Sequence, residues 1–226
     1  MTFTFQRARS EEQRSERRRA ILDTAAEMLA EMPVAQLSLN ELARRVGLAK
    51  SNVLRYFESR EAVLLDLLST AAQEWLTEIG EVLTAAVDPE AAVSERIDQV
   101  AAALTGSLET HPMLCDLVSA QAAVLERNVS MEVAAEYKRT GMAQVGVLAR
   151  LVRGHIPELT EYDALQFAGS AMLVGGAVWI HARPSAAVLA AYEADPSLTA
   201  MRLDFAVTLR QLLEVLLAGL LARSSG

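Results

Sequence analysis

The sequence predicts an all-α fold, with a small N-terminal domain of three helices and a larger C-terminal helical domain. The chain has 226 residues, enough for two domains of ordinary size. Hydrophobic residues make up 52% of it, with 6 prolines and 11 glycines, so it can bury a sizeable core. Ala, Leu, Glu, Arg and Met are abundant and alternating β-branched runs are scarce, a composition that favours helices packed on helices.

Charge divides the chain into a mildly basic N-terminal part and an acidic remainder. Residues 1–61 contain 11 Lys and Arg against 9 Asp and Glu, a net charge of +2. The remaining residues carry a net charge of −10, which gives the total of −8. This asymmetry favours a nucleic-acid contact near the N-terminus, against which the total charge alone would argue.

The first helix is predicted from Arg17 to about Glu31, before Pro33. Its apolar residues recur at helical spacing, which indicates one buried face. These residues are Ile21, Leu22, Ala25, Met28 and Leu29. Residues 1 to about 15 are polar and charged without an apolar period, which predicts a mobile arm.

Residues 38–57 predict two short helices joined by a tight turn. Ser38 and Glu41 have the spacing of a capping box, in which each side chain satisfies a free backbone N–H at a helix start. Gly47 stands where a left-handed residue would end that helix. A second helix over about residues 50–57 would bury its apolar side chains and expose its polar ones. This arrangement is a helix-turn-helix.

The remaining helices follow from apolar periodicity and from start and stop signals. Asp88 and Pro89 form such a start signal, and Thr160 with Asp163 forms a second capping box. We expect helices at about 61–87, 88–108, 113–127, 130–154, 161–182 and 200–222. The predicted domains are 1–66 and 67–226.

No pattern typical of an enzyme, a metal site or a cofactor site stands out in the sequence. The three histidines, His111, His155 and His181, lack the spacing of metal ligands and are better interpreted as structural. We find no Gly-rich phosphate loop or nucleophile motif. Cys115 is the single cysteine, and the N-terminus lacks the apolar region of a secretion signal, so we expect a cytoplasmic protein.

Residues 164–182 form an apolar run that nearly reaches the length of a membrane span. Gln166 and Ser170 interrupt it, and no basic belt flanks it on one side. A helix that is apolar all round is otherwise buried in a core or a dimer, which is the interpretation we favour. The alternative is an all-helical interaction or membrane-associated protein without a DNA role.

The region around the helix-turn-helix resembles the TetR family of bacterial transcriptional regulators. The match spans about residues 17–68 and rests on Ser38, Gly47-Leu48-Ala49-Lys50, Tyr56-Phe57, Arg60 and Glu61-Ala62-Val63-Leu64. Two positions depart from the family pattern. Ala49 stands where many relatives have Ser or Thr, and Leu54 replaces a common phosphate-binding tyrosine.

The resemblance implies DNA-binding roles for particular residues. Ser38 and the N-terminus of its helix would bind a phosphate, as helix N-termini do. Lys50 and Tyr56 would contact the DNA backbone, and Arg60 would clamp a second phosphate.

Other side chains of this region would contact bases or lie at the edge of the interface. The base-contacting group in the major groove would be Ser51, Asn52 and Arg55. Arg44 and Arg45 have two interpretations, as DNA contacts or as solvated charges.

The resemblance also implies a ligand-responsive repressor that binds a palindromic operator as a homodimer and is released by a small molecule. The two predicted helices at 161–182 and 200–222 would form the dimer interface. An apolar effector pocket would be lined by Met and aromatic residues, although such residues at helical spacing are more often core. These residues are Met113, Tyr137, Met142, Phe167, Met172 and Trp179.

Overall fold

The computed structural model describes the backbone of residues 2–224 and the side chains of residues 12–223. Within that range the chain forms ten α-helices and no strand, which confirms the predicted all-α fold. The helices are α1 (Thr2–Glu31), α2 (Leu39–Val46), α3 (Lys50–Val53), α4 (Arg60–Ala86), α5 (Val93–Glu109), α6 (Pro112–Ala120), α7 (Met131–His155), α8 (Glu161–His181), α9 (Ala186–Ala194) and α10 (Phe205–Ser224).

The chain forms two compact units. The N-terminal unit comprises Met1–Thr70 and Ala120–Lys138, and the second unit comprises Ala71–Ser119 and Arg139–Gly226. Both α4 and α7 are therefore continuous helices with residues in both units. The predicted domains, 1–66 and 67–226, follow chain order. They therefore assign residues 120–138 to the C-terminal domain, whereas these residues belong to the N-terminal unit.

The core of the N-terminal unit is built on one face of α1. Ile21, Ala25 and Met28 are fully buried, as their helical spacing predicts. α2 packs against α1 and against α3. The other buried side chains here include Leu37, Leu42, Val53, Phe57, Val63 and Leu64.

α1 begins at Thr2, well before the predicted start at Arg17. The segment predicted as a mobile arm is helical, and its side chains from Glu12 to Arg19 are exposed. Glu, Gln and Arg are strong helix formers, so the helix extends beyond its packed half without an apolar face. Apolar periodicity indicates packing, and it therefore misses helical residues whose side chains are exposed, such as those from Glu12 to Glu16.

In the second unit, α10 packs against α5 and α8. The predicted helix at 61–87 is confirmed as α4, and that at 161–182 as α8. Thr160 caps α8 as predicted, since its hydroxyl accepts a hydrogen bond from the Asp163 N–H at 3.1 Å. The largest buried side chains of this unit include Trp75, Ile79, Leu83, Leu104, Leu114 and Phe167.

The start of α5 differs from the prediction. The helix begins at Val93 instead of residue 88. The Asp88 carboxylate accepts a hydrogen bond from the Glu90 N–H at 2.9 Å, so it stabilises a turn instead of a helix start.

Three helices of the second half also differ. α6 ends at Ala120 instead of near residue 127, and α10 begins at Phe205 instead of near residue 200. α9 is not among the predicted helices, because its residues are almost all apolar and show no contrast between an apolar and a polar face, and none of them is buried. Its Ser185 cap, which accepts from the Val188 N–H, was the available signal.

α8 and α10 are each long and apolar enough to cross a membrane. One face of α8 nevertheless packs tightly inside the unit. The Ser119 hydroxyl donates a hydrogen bond to the Gly176 carbonyl at 2.8 Å. A Cβ added at Gly176 would lie 2.9 Å from a methyl group of Val118, so any side chain there would require α6 or Val118 to shift. Such a contact fits a helix packed against protein.

Candidate nucleic-acid interface

α2 begins at a capped N-terminus. The exposed Ser38 hydroxyl accepts a hydrogen bond from the Glu41 N–H at 3.2 Å, which confirms the predicted helix start. The other hydrogen bond of the predicted capping box, from the Ser38 N–H to the Glu41 carboxylate, is not formed. The Glu41 carboxylate instead accepts hydrogen bonds from the Arg44 and Arg45 side chains.

The turn after α2 depends on Gly47. Its φ of 73° lies in the left-handed region, which side chains disfavour. The Gly47 N–H donates to the Arg44 carbonyl at 3.2 Å, and the Leu48 N–H donates to the Ala43 carbonyl at 2.9 Å. This pair of hydrogen bonds is the Schellman helix end, so the predicted glycine turn is confirmed.

α3 is shorter than the sequence predicts. It covers Lys50–Val53 and continues as a turn instead of reaching residue 57 as a helix. Its N-cap residue, Ala49, makes no side-chain hydrogen bond to the helix start. The contact that a Ser or Thr would supply at the start of α3 is therefore missing.

The polar side chains of α3 and the following turn are exposed together. They are Lys50, Ser51, Asn52 and Arg55. Among residues 12–223, none of these four side chains is engaged in a hydrogen bond or ion pair. On the opposite side Val53 and Phe57 are buried, as their i, i+4 spacing predicts. Tyr56 is half-buried beside the exposed group.

Arg44 and Arg45 are exposed but paired with carboxylates. Arg44 binds Glu41 at 2.8 Å, and Arg45 binds both Glu41 at 3.1 Å and Glu31 at 2.8 Å. The hydrogen bonds from Arg44 and Arg45 lower the pKa of Glu41 to about 2. The hydrogen bond from Arg45 likewise lowers the pKa of Glu31. The positive charge of this surface is therefore largely compensated within the unit.

Arg60 is occupied by the protein. Its side chain is only 18% exposed, and its guanidinium donates hydrogen bonds to the Leu37 and Val34 carbonyls. It also forms an ion pair with Glu61 at 3.0 Å. This arrangement differs from the predicted phosphate clamp, because the guanidinium holds the connection between α1 and α2.

Arg18 organises the turn after α3, although no sequence motif indicates this role. Its guanidinium binds Asp66 at 2.7 Å and donates to the Tyr56 carbonyl at 3.0 Å. It also lies 4.3 Å from the centre of the Phe57 ring. The only signal in the sequence is that Arg18 precedes the buried Ile21 by three residues and so lies on the packed face of α1.

The candidate effector-binding residues do not share one environment. Met142 is 76% exposed, contrary to the prediction that it lines a pocket. Tyr137 belongs to the N-terminal unit, where burial and then the Glu126 carboxylate raise the pKa of its phenol. Met113 and Met172 in the second unit are half-buried.

Phe167 and Trp179 are core residues of the second unit. Phe167 is fully buried. The Trp179 indole N–H donates a hydrogen bond to Asp116 at 2.7 Å, and its ring meets Phe205 edge-on at 5.0 Å. These contacts agree with the core interpretation of both side chains.

A capped helix, a left-handed glycine turn and a short second helix with an exposed polar face define a helix-turn-helix DNA-binding domain. Two family models together match most of the chain. One described as bacterial regulatory proteins of the tetR family matches residues 21–67. Another, described as a tetracyclin repressor-like C-terminal domain, matches residues 69–224. The protein belongs to the TetR family of DNA-binding transcription regulators.

Individual relatives are more distant. The chain is 28% identical over 109 residues to the nucleoid occlusion factor SlmA of Marinomonas sp., a match to 48% of this chain and 53% of SlmA. It is 39% identical over 59 residues to the HTH-type transcriptional regulator EthR of Mycobacterium tuberculosis, 26% of this chain and 27% of EthR. These matches therefore span about half of SlmA and about a quarter of EthR.

A solved structure shows the same fold over nearly the whole chain. It is a TetR-family transcriptional regulator from Mesorhizobium loti, with a TM-score of 0.55 and 17% sequence identity. The match covers 93% of this chain and 97% of that one.

Proposed function

We propose that the protein is a cytoplasmic, ligand-responsive repressor that binds a palindromic operator as a homodimer and is released by a small molecule. The observation that carries this proposal is the exposed, unengaged group on α3 and the turn after it: Lys50, Ser51, Asn52 and Arg55. In a helix-turn-helix such side chains enter the major groove, where Asn pairs bidentately with adenine and Arg with guanine.

The DNA contacts fall into two groups. Lys50, Tyr56 and the N-terminus of α2 at Ser38 bind the DNA backbone, whereas Ser51, Asn52 and Arg55 contact base edges. Arg44 and Arg45 add little, because their charges are paired within the unit. Arg60 supports the interface by holding the connection between α1 and α2.

Dimerisation would bury the outer faces of α8 and α10. Leu173 of α8 and Val215 of α10 are 75% and 68% exposed, and Ile180 and Val207 are more than half exposed. Burial of apolar area is favourable by about 25 cal/mol per Å², so these faces favour association. A two-fold dimer also supplies the second recognition helix that a palindromic operator requires.

Sedimentation tests this interface. Wild-type protein should sediment as a dimer, and the double variant Leu173→Glu/Val215→Glu should sediment as a folded monomer. Met142→Glu is the matched control, because Met142 is equally exposed but lies on α7. If the same faces insert into lipid, as the membrane-associated alternative requires, the wild type would partition into detergent instead of remaining a dimer in buffer.

The effector is a small molecule of apolar or weakly polar character that binds the second unit. Because α4 is continuous between the two units, a ligand that favours one position of α4 would change the separation of the two recognition helices. Coupling of this kind is typically worth about 1–3 kcal/mol. A cognate compound should raise the melting temperature and weaken DNA binding; a compound panel that does neither argues against this mechanism.

The decisive experiment is selection of bound sequences from a random double-stranded DNA pool with the full-length protein. A palindromic motif is expected. Protein unfolded and refolded to remove any co-purified ligand should be used in parallel. If that protein is folded and dimeric but still selects no motif, the proposed repressor function is wrong.

A further inference from the structure

The connection between α3 and α4 contacts the start of α7. Glu58 lies in this connection, directly after Phe57, and its carboxylate accepts a hydrogen bond from the Ser130 N–H at 2.6 Å. Ser130 is the cap of α7, since its hydroxyl accepts from the Val133 N–H at 3.3 Å and its carbonyl accepts from the Ala134 N–H. All of these residues belong to the N-terminal unit.

Glu58 completes a cap that α7 cannot complete from its own sequence. In a capping box the N–H of the cap residue is satisfied by Glu or Gln three positions later. That position after Ser130 is Val133, an apolar residue. The carboxylate of Glu58, 72 positions away in the chain, takes this role. A negative charge at a helix N-terminus is also favoured by the helix dipole.

This contact lies between the DNA-contacting turn and a helix that enters the second unit. Glu58 is two residues from Tyr56 and two from Arg60, and Ser59 caps α4 by accepting from the Ala62 N–H at 3.1 Å. α7 continues from Met131 to His155, and its residues from Arg139 onward belong to the second unit. A displacement of the start of α7 would therefore act directly on the connection that follows the recognition helix.

We propose that Glu58 is a positioning residue that couples α7 to the recognition helix, so that α7 provides a route of regulation in addition to α4. This inference rests on the proposed repressor function. The docked start of α7 holds the α3–α4 connection in its DNA-binding geometry, and loss of the contact lowers DNA affinity for every sequence.

The variant Glu58→Ala distinguishes the positioning role of Glu58 from the effect of its negative charge on DNA binding. Removal of a negative charge beside a DNA interface should by itself strengthen binding. Coupling predicts the opposite sign, a loss of about fivefold or more in affinity for the selected operator. Glu58→Gln keeps an acceptor oxygen and should restore most of the affinity. Glu132→Ala is the matched control, because it removes an exposed carboxylate from the first turn of α7.

Amide hydrogen exchange gives a second readout, because coupling is reciprocal. Operator DNA should slow exchange at residues 130–134 in the wild type and in the Glu132→Ala variant, but not in Glu58→Ala. Circular dichroism confirms that each variant is folded. Equal or tighter operator binding by Glu58→Ala, or unchanged protection of these amides, would overturn the coupling. If the wild type itself selects no DNA, the proposed repressor function is wrong. That outcome differs from a failure of the coupling, in which the wild type binds its operator and Glu58→Ala binds it equally well.

Discussion

Two groups of basic side chains in the N-terminal unit differ more in their partners than in their residue types. Lys50 and Arg55 extend from the region of α3, and no other residue among 12–223 engages their side chains. Arg44, Arg45 and Arg60 are bound to carboxylates or carbonyls of the same unit. We therefore expect a basic residue near this helix-turn-helix to contribute most to DNA binding where the fold leaves its charge unpaired.

The strongest test of this comparison is Arg60→Ala. The substitution leaves the Leu37 and Val34 carbonyls and the Glu61 carboxylate without their donor. Because the guanidinium is mostly buried, the free energy of unfolding should fall by about 2–4 kcal/mol, as measured by urea denaturation. Arg55→Ala, at an exposed and unengaged position, should leave the stability nearly unchanged. Equal stability of the two variants would show that Arg60 is not part of the scaffold.

Substitutions in the unengaged group, and at the neighbouring Tyr56, should change DNA affinity more than stability. Asn52→Ala and Arg55→Ala should each cost about 1–3 kcal/mol on the selected operator and little on random DNA. Lys50→Ala and Tyr56→Ala should weaken binding to both. Fluorescence anisotropy with the two DNAs measures the difference. The division into base and backbone contacts would be wrong if all four variants lost the same affinity on both.

Local sequence rules predict the features of the site that depend on near neighbours. The cap at Ser38, the left-handed Gly47 and the buried pair Val53 and Phe57 each involve residues within a few positions, so the residue types and their spacing suffice. The all-α fold follows for the same reason, from propensity and periodicity summed over long segments.

The partners of individual charges could not be predicted in the same way. Arg60 bonds to carbonyls 23 and 26 positions away, and Glu58 bonds to an amide 72 positions away. Backbone carbonyls and amides occur at every residue, so no motif marks which of them a folded chain brings within reach. Residues 12–16 of α1 were missed because their exposed side chains have no apolar period, and α9 was missed because its residues are almost all apolar and show no polar face.

Glu41→Gln should convert Arg44 from the paired group to the unpaired group, while Arg45 keeps its ion pair with Glu31. The amide retains an acceptor oxygen but has no charge, so the Arg44 guanidinium becomes available to phosphate. Since the pKa of Glu41 is held at about 2, mild acid does not produce this change and a substitution is needed. Affinity for random duplex DNA should rise, and its log–log dependence on salt should steepen by about one unit per added phosphate contact.

The matched control for Glu41→Gln is Glu27→Gln. It removes the same charge from an exposed position on α1. Both variants gain a little from the lower negative charge of the unit, and only Glu41→Gln should also steepen the salt dependence. An identical salt dependence in the two variants would mean that Arg44 does not reach DNA even when it is released.

The smallest expected effect concerns the two helix starts of the motif. Ser38 caps α2, whereas Ala49 leaves α3 without a side-chain cap although its backbone, at φ −64° and ψ 145°, has the extended geometry of a cap residue. Ala49→Ser should therefore add about 0.5–1 kcal/mol to the free energy of unfolding, measured by thermal denaturation. A better-ordered α3 should also raise affinity slightly on operator and random DNA alike, because ordering precedes any base contact. Ala49→Val, which adds bulk without a hydroxyl, should do neither; an equal gain from valine would assign the effect to packing instead of capping.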